Sequence, residues 1–263
     1  MLKDGHIHTP YCPHGSQDHF QQYIERAISL GYKEITFTEH APLPRNFKDP
    51  APAEDSGMKY AVLEQYLKDL EMLKTQYSSD LLINIGLEVD YIEGYEDQTI
   101  DFLNEYGSLL DDSILSVHFL QKNDEWFCLD YSPEVFGTMI DKYGSLSALY
   151  DHYFQTVLKS IVTDLGPFKP KRIGHITLVK KFQKKFPLED YDYLTVQKIL
   201  QEMKAGGFEM DYNGAGLFKP FCKESYPPKW IADEADSLGI PLVYGSDAHQ
   251  AEDLGQGRQD LFG

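Results

Sequence analysis

The sequence predicts an α/β fold in which parallel strands alternate with crossover helices. Short apolar runs with strand composition recur seven times in the 263 residues, and segments with helical periodicity separate them. Such alternation favours a parallel sheet, because each parallel connection needs a crossover that a helix supplies. The seven units fit either a closed barrel or an open doubly wound sheet. Neither a Gly-x-Gly-x-x-Gly motif after the first strand nor a Walker motif is present, so the usual nucleotide-binding folds are not indicated.

The individual elements follow from local patterns. Runs rich in Ile, Val, Leu, Phe and Tyr predict strands over residues 5–9, 34–39, 81–91, 113–120, 172–178, 207–212 and 241–246. Helical periodicity predicts helices over residues 19–30, 60–77, 96–106, 146–164, 190–205 and 227–238. Asp18 and Gln21 have capping-box spacing at the start of the first helix. Gly31, Gly206 and Gly239 lie where helices are expected to end.

Composition limits the class of protein. The length and the 42% apolar content suit a single domain over residues 1–263, and no apolar run reaches the roughly 20 residues that span a bilayer. We expect a cytoplasmic protein without membrane contact, whose three cysteines, Cys12, Cys128 and Cys222, stay reduced. The net charge of −18 argues against a nucleic-acid partner, because phosphate neutralisation requires a basic surface. The sequence does not predict an oligomeric state.

Metal-ligand residue types lie at or near the carboxyl ends of six of the seven predicted strands, or just after them. These candidate ligands are His6, His8, His14, His40, Glu88, His118, His175, Asp247 and His249. A single histidine at a strand end is usually a core or turn residue, and His19 and His152, in helical segments, are assigned no role. The joint pattern is different, because parallel barrels build their active sites at this end. Imidazole and carboxylate ligands suit zinc, iron or manganese, and the number of ligands suits two or three divalent ions.

The motifs that contain these residues resemble a known family. HIHTPYCPHGS, TEH, GLEVDY, SVHF, GHI and GSDAH, in this order, are similar to the polymerase and histidinol phosphatase (PHP) family, and GLFKPFCKESYPP is similar to its histidinol-phosphate phosphatase branch. The resemblance implies a distorted seven-stranded (β/α)7 TIM-like barrel. It also implies three metal sites, formed by His6, His8, Glu88 and Asp247; by Glu88, His118 and His175; and by His14, His40 and His249. Cys12, beside His14, is expected to be a packed side chain and not a ligand.

Phosphate recognition departs from the pattern of this family. Relatives are expected to carry arginines after the fifth strand, where this chain has Lys180 and Lys181. They are also expected to carry GLRK where this chain has GLFK, with Phe218 in place of the arginine and Lys219 after it. Lysine binds phosphate as a point charge, whereas arginine binds it with two parallel hydrogen bonds. The candidate phosphate-binding residues are therefore Lys180, Lys181, Lys219 and Arg258. If Lys180 and Lys181 continue a strand, one of them faces the pocket and the other faces solvent.

The resemblance implies hydrolysis of L-histidinol phosphate to L-histidinol and phosphate, a step of histidine biosynthesis. A hydroxide that bridges two ions attached to Glu88 would attack the phosphorus, and Asp247 or His249 would protonate the leaving alkoxide. Residues of the proline-containing loop 41–59 or of 217–228 are candidates for binding the amine and imidazole. The alternatives are another small phosphorylated substrate, such as a nucleotide or phosphotyrosine, or a nucleic acid. A metal-storage module fits poorly, because storage does not need ligands distributed over six strands.

Overall fold

A parallel sheet of seven strands forms the centre of the molecule in the computed structural model, which describes residues 2–188 and 193–263. The strands of this sheet are β1 (Lys3–Ile7), β2 (Glu34–His40), β3 (Leu82–Asp90), β4 (Ile114–Ser116), β7 (Arg172–Ile173), β8 (Glu209–Asn213) and β9 (Leu242–Gly245). Their order is β1-β2-β3-β4-β7-β8-β9, and every pairing is parallel. The chain order of the strands is therefore also their order in the sheet.

The two edges of this sheet approach each other and nearly close a barrel. Ile7 forms a parallel bridge with Ala248, and the Asp247 amide donates to the His6 carbonyl oxygen at 2.7 Å. The His8 amide donates to the Ala248 carbonyl oxygen at 3.0 Å. These bonds join the end of β1 to the chain that follows β9. The arrangement is the distorted seven-stranded barrel that the family resemblance implies.

Helices pack around this barrel. They are α1 (Phe20–Ser29), α2 (Tyr60–Gln76), α3 (Glu96–Tyr106), α4 (Pro133–Tyr143), α5 (Leu146–Val162), α6 (Tyr193–Gly206), α7 (Lys229–Ser237) and the short α8 (Arg258–Phe262). All six predicted helices are present, except that residues 190–192 of the fifth lie outside the described part of the chain. Among the described residues, no helix combines the length and apolar character needed to cross a membrane.

The fourth predicted strand is wrong in its second half. It ends at Ser116, and the chain then forms an antiparallel hairpin of β5 (Phe119–Lys122) and β6 (Glu125–Cys128). Asn123 and Asp124 both have positive φ angles, of 50° and 61°, as tight hairpin turns require. Helix α4 was also not predicted, although Ser132 accepts a hydrogen bond from the Val135 amide and a proline follows it, both ordinary signals of a helix start.

Two of the predicted helix boundaries are displaced by one residue. The Gln22 side chain accepts from the His19 amide at 2.8 Å, so the cap of α1 does not use the predicted pair of Asp18 and Gln21. Asp18 instead accepts from the Ala251 amide, which ties the start of α1 to the chain after β9. Gly206 is still helical, and the left-handed conformation is taken by Gly207, with φ 65°.

A partly buried ion pair lies within the barrel at the amino-terminal end of the strands. The Arg172 guanidinium is fully buried and donates to the Gly5 carbonyl oxygen and to the Asp112 carboxylate. Asp112 also accepts from Lys3 and Thr36, so one carboxylate joins β1, β2 and β7. Burial acts to raise the pKa of Asp112, but the Arg172 and Lys3 cations outweigh it and hold the pKa below its usual value.

Candidate metal centre

The predicted ligands come together at the carboxyl ends of the strands. His40 is the last residue of β2, and Glu88 lies near the end of β3. His118, His175 and Asp247 each lie two residues after a strand of the sheet. These side chains line one cavity of about 380 Å³, together with His14 and His249. His6 and His8 are fully buried, with ring centroids 5.3 Å apart, so the two share a face as the strand period predicts.

Two groups of potential ligand atoms match predicted metal sites. His6, His8 and Asp247 form one group, in which each offers an atom within 4.8 Å of the others. Glu88, His118 and His175 form another group by the same criterion.

Glu88 lies between these two groups. Its Oε2 atom is 3.5 Å from Nε2 of His6 and 3.6 Å from Nε2 of His8. Its Oε1 atom is 2.9 Å from Nε2 of His175. Oε2 also lies 3.1 Å from Nδ1 of His40. One carboxylate therefore presents Oε2 to His6, His8 and His40 and Oε1 to His175, an arrangement that suits a bridging ligand.

The third group differs in part from the expected set. His8, His40 and His249 form it with Cys12, not with His14. His14 is exposed, and its ring centroid lies 5.0 Å from that of His40 and 5.2 Å from that of His249. Burial raises the pKa of the Cys12 thiol, which disfavours the thiolate that a metal needs. The structure thus places His14 beside this group, and Cys12 lies where it could take the place of His14 as a metal ligand.

The donor set fits transition-metal ions. Nε2 of His6 and Nε2 of His40 are buried and have no hydrogen-bond partner in the described part of the chain. A buried polar nitrogen without a partner costs free energy, so such atoms usually have a ligand. Asp247 has a positive φ of 52°, a conformation that is uncommon for non-glycine residues and that Asp adopts more readily than most.

Three carboxylates that the sequence analysis missed orient the histidine rings. Nδ1 of His6 lies 2.9 Å from Asp211, and Nδ1 of His118 lies 2.8 Å from Asp90. Nδ1 of His8 lies 3.2 Å from Glu39. Carboxylates of this kind fix the tautomer, so that the other ring nitrogen is free to bind a metal. A signal was present, because these three acidic residues, Glu39, Asp90 and Asp211, lie at or near the carboxyl ends of predicted strands.

The electrostatic environment favours cations. Burial acts to lower the pKa of His8, but the Asp247 and Glu39 carboxylates raise it to about 9. Burial likewise opposes charge on His118, whose pKa Asp90 and Glu88 raise to about 10. The surrounding histidines hold the pKa of Glu88 well below its usual value despite its burial. Burial and the neighbouring His8 instead lower the pKa of His40 and of His249. The carboxylates around His8 and His118 would also attract divalent ions, which compete with protons for the same nitrogens.

Comparison with known proteins agrees with this geometry. The profile of the PHP domain family matches residues 4–215. The chain belongs to the PHP domain family. A histidinol-phosphatase of Bacillus subtilis (strain 168) is 49% identical to this PHP domain protein over 255 residues, which cover 96% of this chain and 95% of the relative.

Solved structures are similar along the whole PHP chain. A crystal structure from Listeria monocytogenes, described as that of a candidate histidinol phosphatase, has a TM-score of 0.94 and 42% identity, and the match covers 98% of this chain and 99% of the other. A histidinol phosphate phosphatase from Lactococcus lactis subsp. lactis, solved with zinc, L-histidinol and phosphate, shares the fold with a TM-score of 0.70 at 18% identity, over 99% of this chain and 92% of that chain. The predictions of the family and of the barrel are confirmed.

The basic residues of this PHP domain do not lie as predicted. Lys180 and Lys181 belong to a 3-10 helix (Leu178–Phe182), so the strand alternation assumed for them is wrong. Lys181 lines the cavity, but its ammonium donates to Asp130 at 2.8 Å. Lys180 does not face solvent, because it is buried and donates to Glu224.

The two remaining basic candidates differ in position. Lys219 lines the cavity and has no acidic partner within residues 2–188 and 193–263. Arg258 lies outside the cavity lining, at the start of α8, with its guanidinium 5.9 Å from the Phe262 ring centroid. Of the two described lysines that line the cavity, Lys181 is paired with Asp130, so Lys219 is the one available to bind an anion.

Proposed function

We propose that this PHP domain protein is a histidinol-phosphatase, which hydrolyses L-histidinol phosphate to L-histidinol and phosphate. The assignment rests mainly on the 49% identity to the Bacillus subtilis histidinol-phosphatase over nearly the whole of both chains. The cavity supports it, because histidines and carboxylates converge there beside a lysine, as phosphate-ester hydrolysis requires. The same relatives favour this substrate over a nucleotide, phosphotyrosine or nucleic acid.

Two or three divalent ions, drawn from zinc, iron and manganese, are the proposed cofactors. His6, His8 and Asp247 would hold one ion, His118 and His175 would hold another, and Glu88 would contact both. His14, His40 and His249 would hold a third. Such ions lower the pKa of water toward neutrality and neutralise phosphoryl oxygens when they are bound. The zinc in the Lactococcus lactis structure supports this class of metal.

The protein side chains supply positioning and proton transfer. Asp247 and His249 both line the cavity, and Nδ1 of His249 lies 3.0 Å from the Asp247 carbonyl oxygen. We assign protonation of the leaving alkoxide to this pair. Lys219 would neutralise the phosphate, whereas Asp130 holds Lys181 in place.

The core supports one domain over residues 1–263. Buried side chains of a single cluster run from Ile7 to Leu254, so both ends of the chain share the same interior. We propose a small phosphorylated molecule as the binding partner. A net charge of −18 disfavours nucleic acid, because binding its phosphates requires positive charge on the protein.

A substrate panel tests the proposed function. We expect phosphate release from L-histidinol phosphate with a kcat/KM at least about 100-fold above those for p-nitrophenyl phosphate and a nucleoside monophosphate, because remote binding groups contribute to transition-state binding. The measurement is initial-rate phosphate release with metal-loaded enzyme. Equal or higher efficiency on the nucleotide would contradict the assignment.

A further inference from the structure

Of the acidic residues that line the cavity, one has a carboxylate without a partner in the described part of the chain. Glu88 and Asp247 face the histidine groups, and Asp130 accepts from Lys181. Asp55 also lines the cavity. Its carboxylate makes no hydrogen bond or ion pair within the described ranges, 2–188 and 193–263. Lys219, which lines the same cavity, likewise has no ion-pair partner in the described part of the chain.

The loop before α2 holds Asp55 in place. Asp49 accepts from the amides of Ala51 and Ser56, both at 2.9 Å, and from the Ser56 hydroxyl at 2.9 Å. The backbone carbonyl oxygen of Asp55 lies 2.9 Å from Nδ1 of His14. The segment is therefore fixed both within itself and against the edge of the metal centre. The backbone that carries this carboxylate is therefore positioned before any ligand arrives, which reduces the entropy cost of binding.

We propose that Asp55 is a specificity-determining residue that binds the ammonium group of the amino-alcohol substrate. The inference rests on the proposed function, since L-histidinol phosphate carries an ammonium group as well as a phosphate. Among the described residues that line the cavity, Lys219 is a cation and Asp55 an anion without an ion-pair partner, which makes the lining complementary to a molecule with charges of both signs. An ion pair with hydrogen bonds is the strongest contact that a carboxylate can offer an ammonium group.

The test compares substrates with and without an ammonium group. In Asp55→Asn, we expect kcat/KM for L-histidinol phosphate to fall about 10- to 100-fold, mostly through KM, the range for losing a hydrogen bond to a charged group. The value for p-nitrophenyl phosphate, which has no ammonium group, stays within about twofold of wild type. L-Histidinol, added as an inhibitor of aryl phosphate hydrolysis, binds more weakly to the variant by a similar factor.

Two further variants control for the fold and for the charge of the loop. Glu54→Gln removes a neighbouring charge that does not line the cavity, and it should leave both substrates unchanged. Asp55→Glu keeps the carboxylate, so it should retain more of the preference than Asp55→Asn. Circular dichroism verifies that each variant is folded.

The outcomes separate this inference from the proposed function. A wild-type enzyme that does not prefer L-histidinol phosphate overturns the proposed function, and the role of Asp55 with it. A wild-type preference that persists in Asp55→Asn overturns the role of Asp55 alone. An equal loss on both substrates also overturns it, because the carboxylate would then act on the common phosphoryl chemistry and not on the ammonium group.

Discussion

At the scale of single residues, Glu88 and the lysines carry most of the proposed chemistry. One Glu88 oxygen faces His6 and His8, and the other faces His175. Glu88 therefore contacts both of the ligand groups that match predicted metal sites. Ser116 donates to the same carboxylate at 2.6 Å, which fixes its orientation. The position of each oxygen is therefore determined by the protein before a metal binds.

Replacement of Glu88 should be more damaging than loss of an exposed ligand. In Glu88→Gln the side chain keeps its shape but loses the charge shared between two cations, so kcat should fall by more than about 100-fold. In His14→Ala the loss should be smaller, because His14 is exposed and lies at the edge of the centre. Both are assayed on L-histidinol phosphate at saturating metal. Near-wild-type turnover in Glu88→Gln would exclude a bridging role.

Lys219 should dominate phosphate recognition among the lysines. Lys219→Met should reduce kcat/KM about 10- to 100-fold and weaken inhibition by inorganic phosphate, since a charge-assisted hydrogen bond is lost. Lys180→Met is the matched control, because Lys180 donates to Glu224 and does not line the cavity. Inhibition constants for phosphate are measured for both. Equal phosphate affinity in Lys219→Met and wild type would rule the assignment out.

At the scale of elements, an ion pair joins strands of the barrel at the end opposite the candidate metal centre. Arg172 on β7 reaches the Gly5 carbonyl oxygen on β1 and the Asp112 carboxylate before β4. A Cβ at Gly5 would lie 2.7 Å from the Arg172 side chain, so only glycine allows this approach. Removing one partner of a buried ion pair leaves a charge without compensation in the interior.

Asp112 should therefore make stability depend on pH. The pKa of the Asp112 carboxyl is lower in the folded protein than in the unfolded chain. Its contribution to the free energy of unfolding is therefore present above the unfolded pKa of about 3.9 and is lost as pH falls through the folded pKa. Asp112→Asn should lower the free energy of unfolding by about 3 kcal/mol at pH 7, and the difference from wild type should narrow below pH ~4.

Urea denaturation at several pH values measures this difference. Glu125→Gln serves as a control, because the pair of Glu125 and Lys142 is about half exposed and should contribute less than ~1 kcal/mol. A deficit of Asp112→Asn that is the same at pH 3 and pH 7 would contradict the account of this ion pair.

At the scale of the whole molecule, the sequence predicted the sheet and the candidate ligands better than their surroundings. Strand period placed His6 and His8 on one face, and strand ends located Glu88 and His118, because both signals are local. The hairpin after β4 depends on a turn at Asn123 and Asp124 that lacks the usual glycine.

The orientation of the lysines could not be predicted in the same way. It depends on a 3-10 helix and on the partners Asp130 and Glu224, which the fold brings from distant parts of the chain. Pairing across 44 or 51 residues leaves no periodic trace in the sequence. The same limit applies to Asp55, because only the folded cavity shows that its carboxylate has no partner among the described residues.

Metal stoichiometry measured together with activity tests the central claim, a multinuclear phosphatase centre, most directly. Metal-free protein is titrated with zinc, iron or manganese, and bound metal per chain is determined by elemental analysis alongside phosphate release from L-histidinol phosphate. We expect no activity without metal, and full activity only when at least two equivalents are bound, because Glu88 lies between two groups of ligands. Full activity with one equivalent or none would contradict the account.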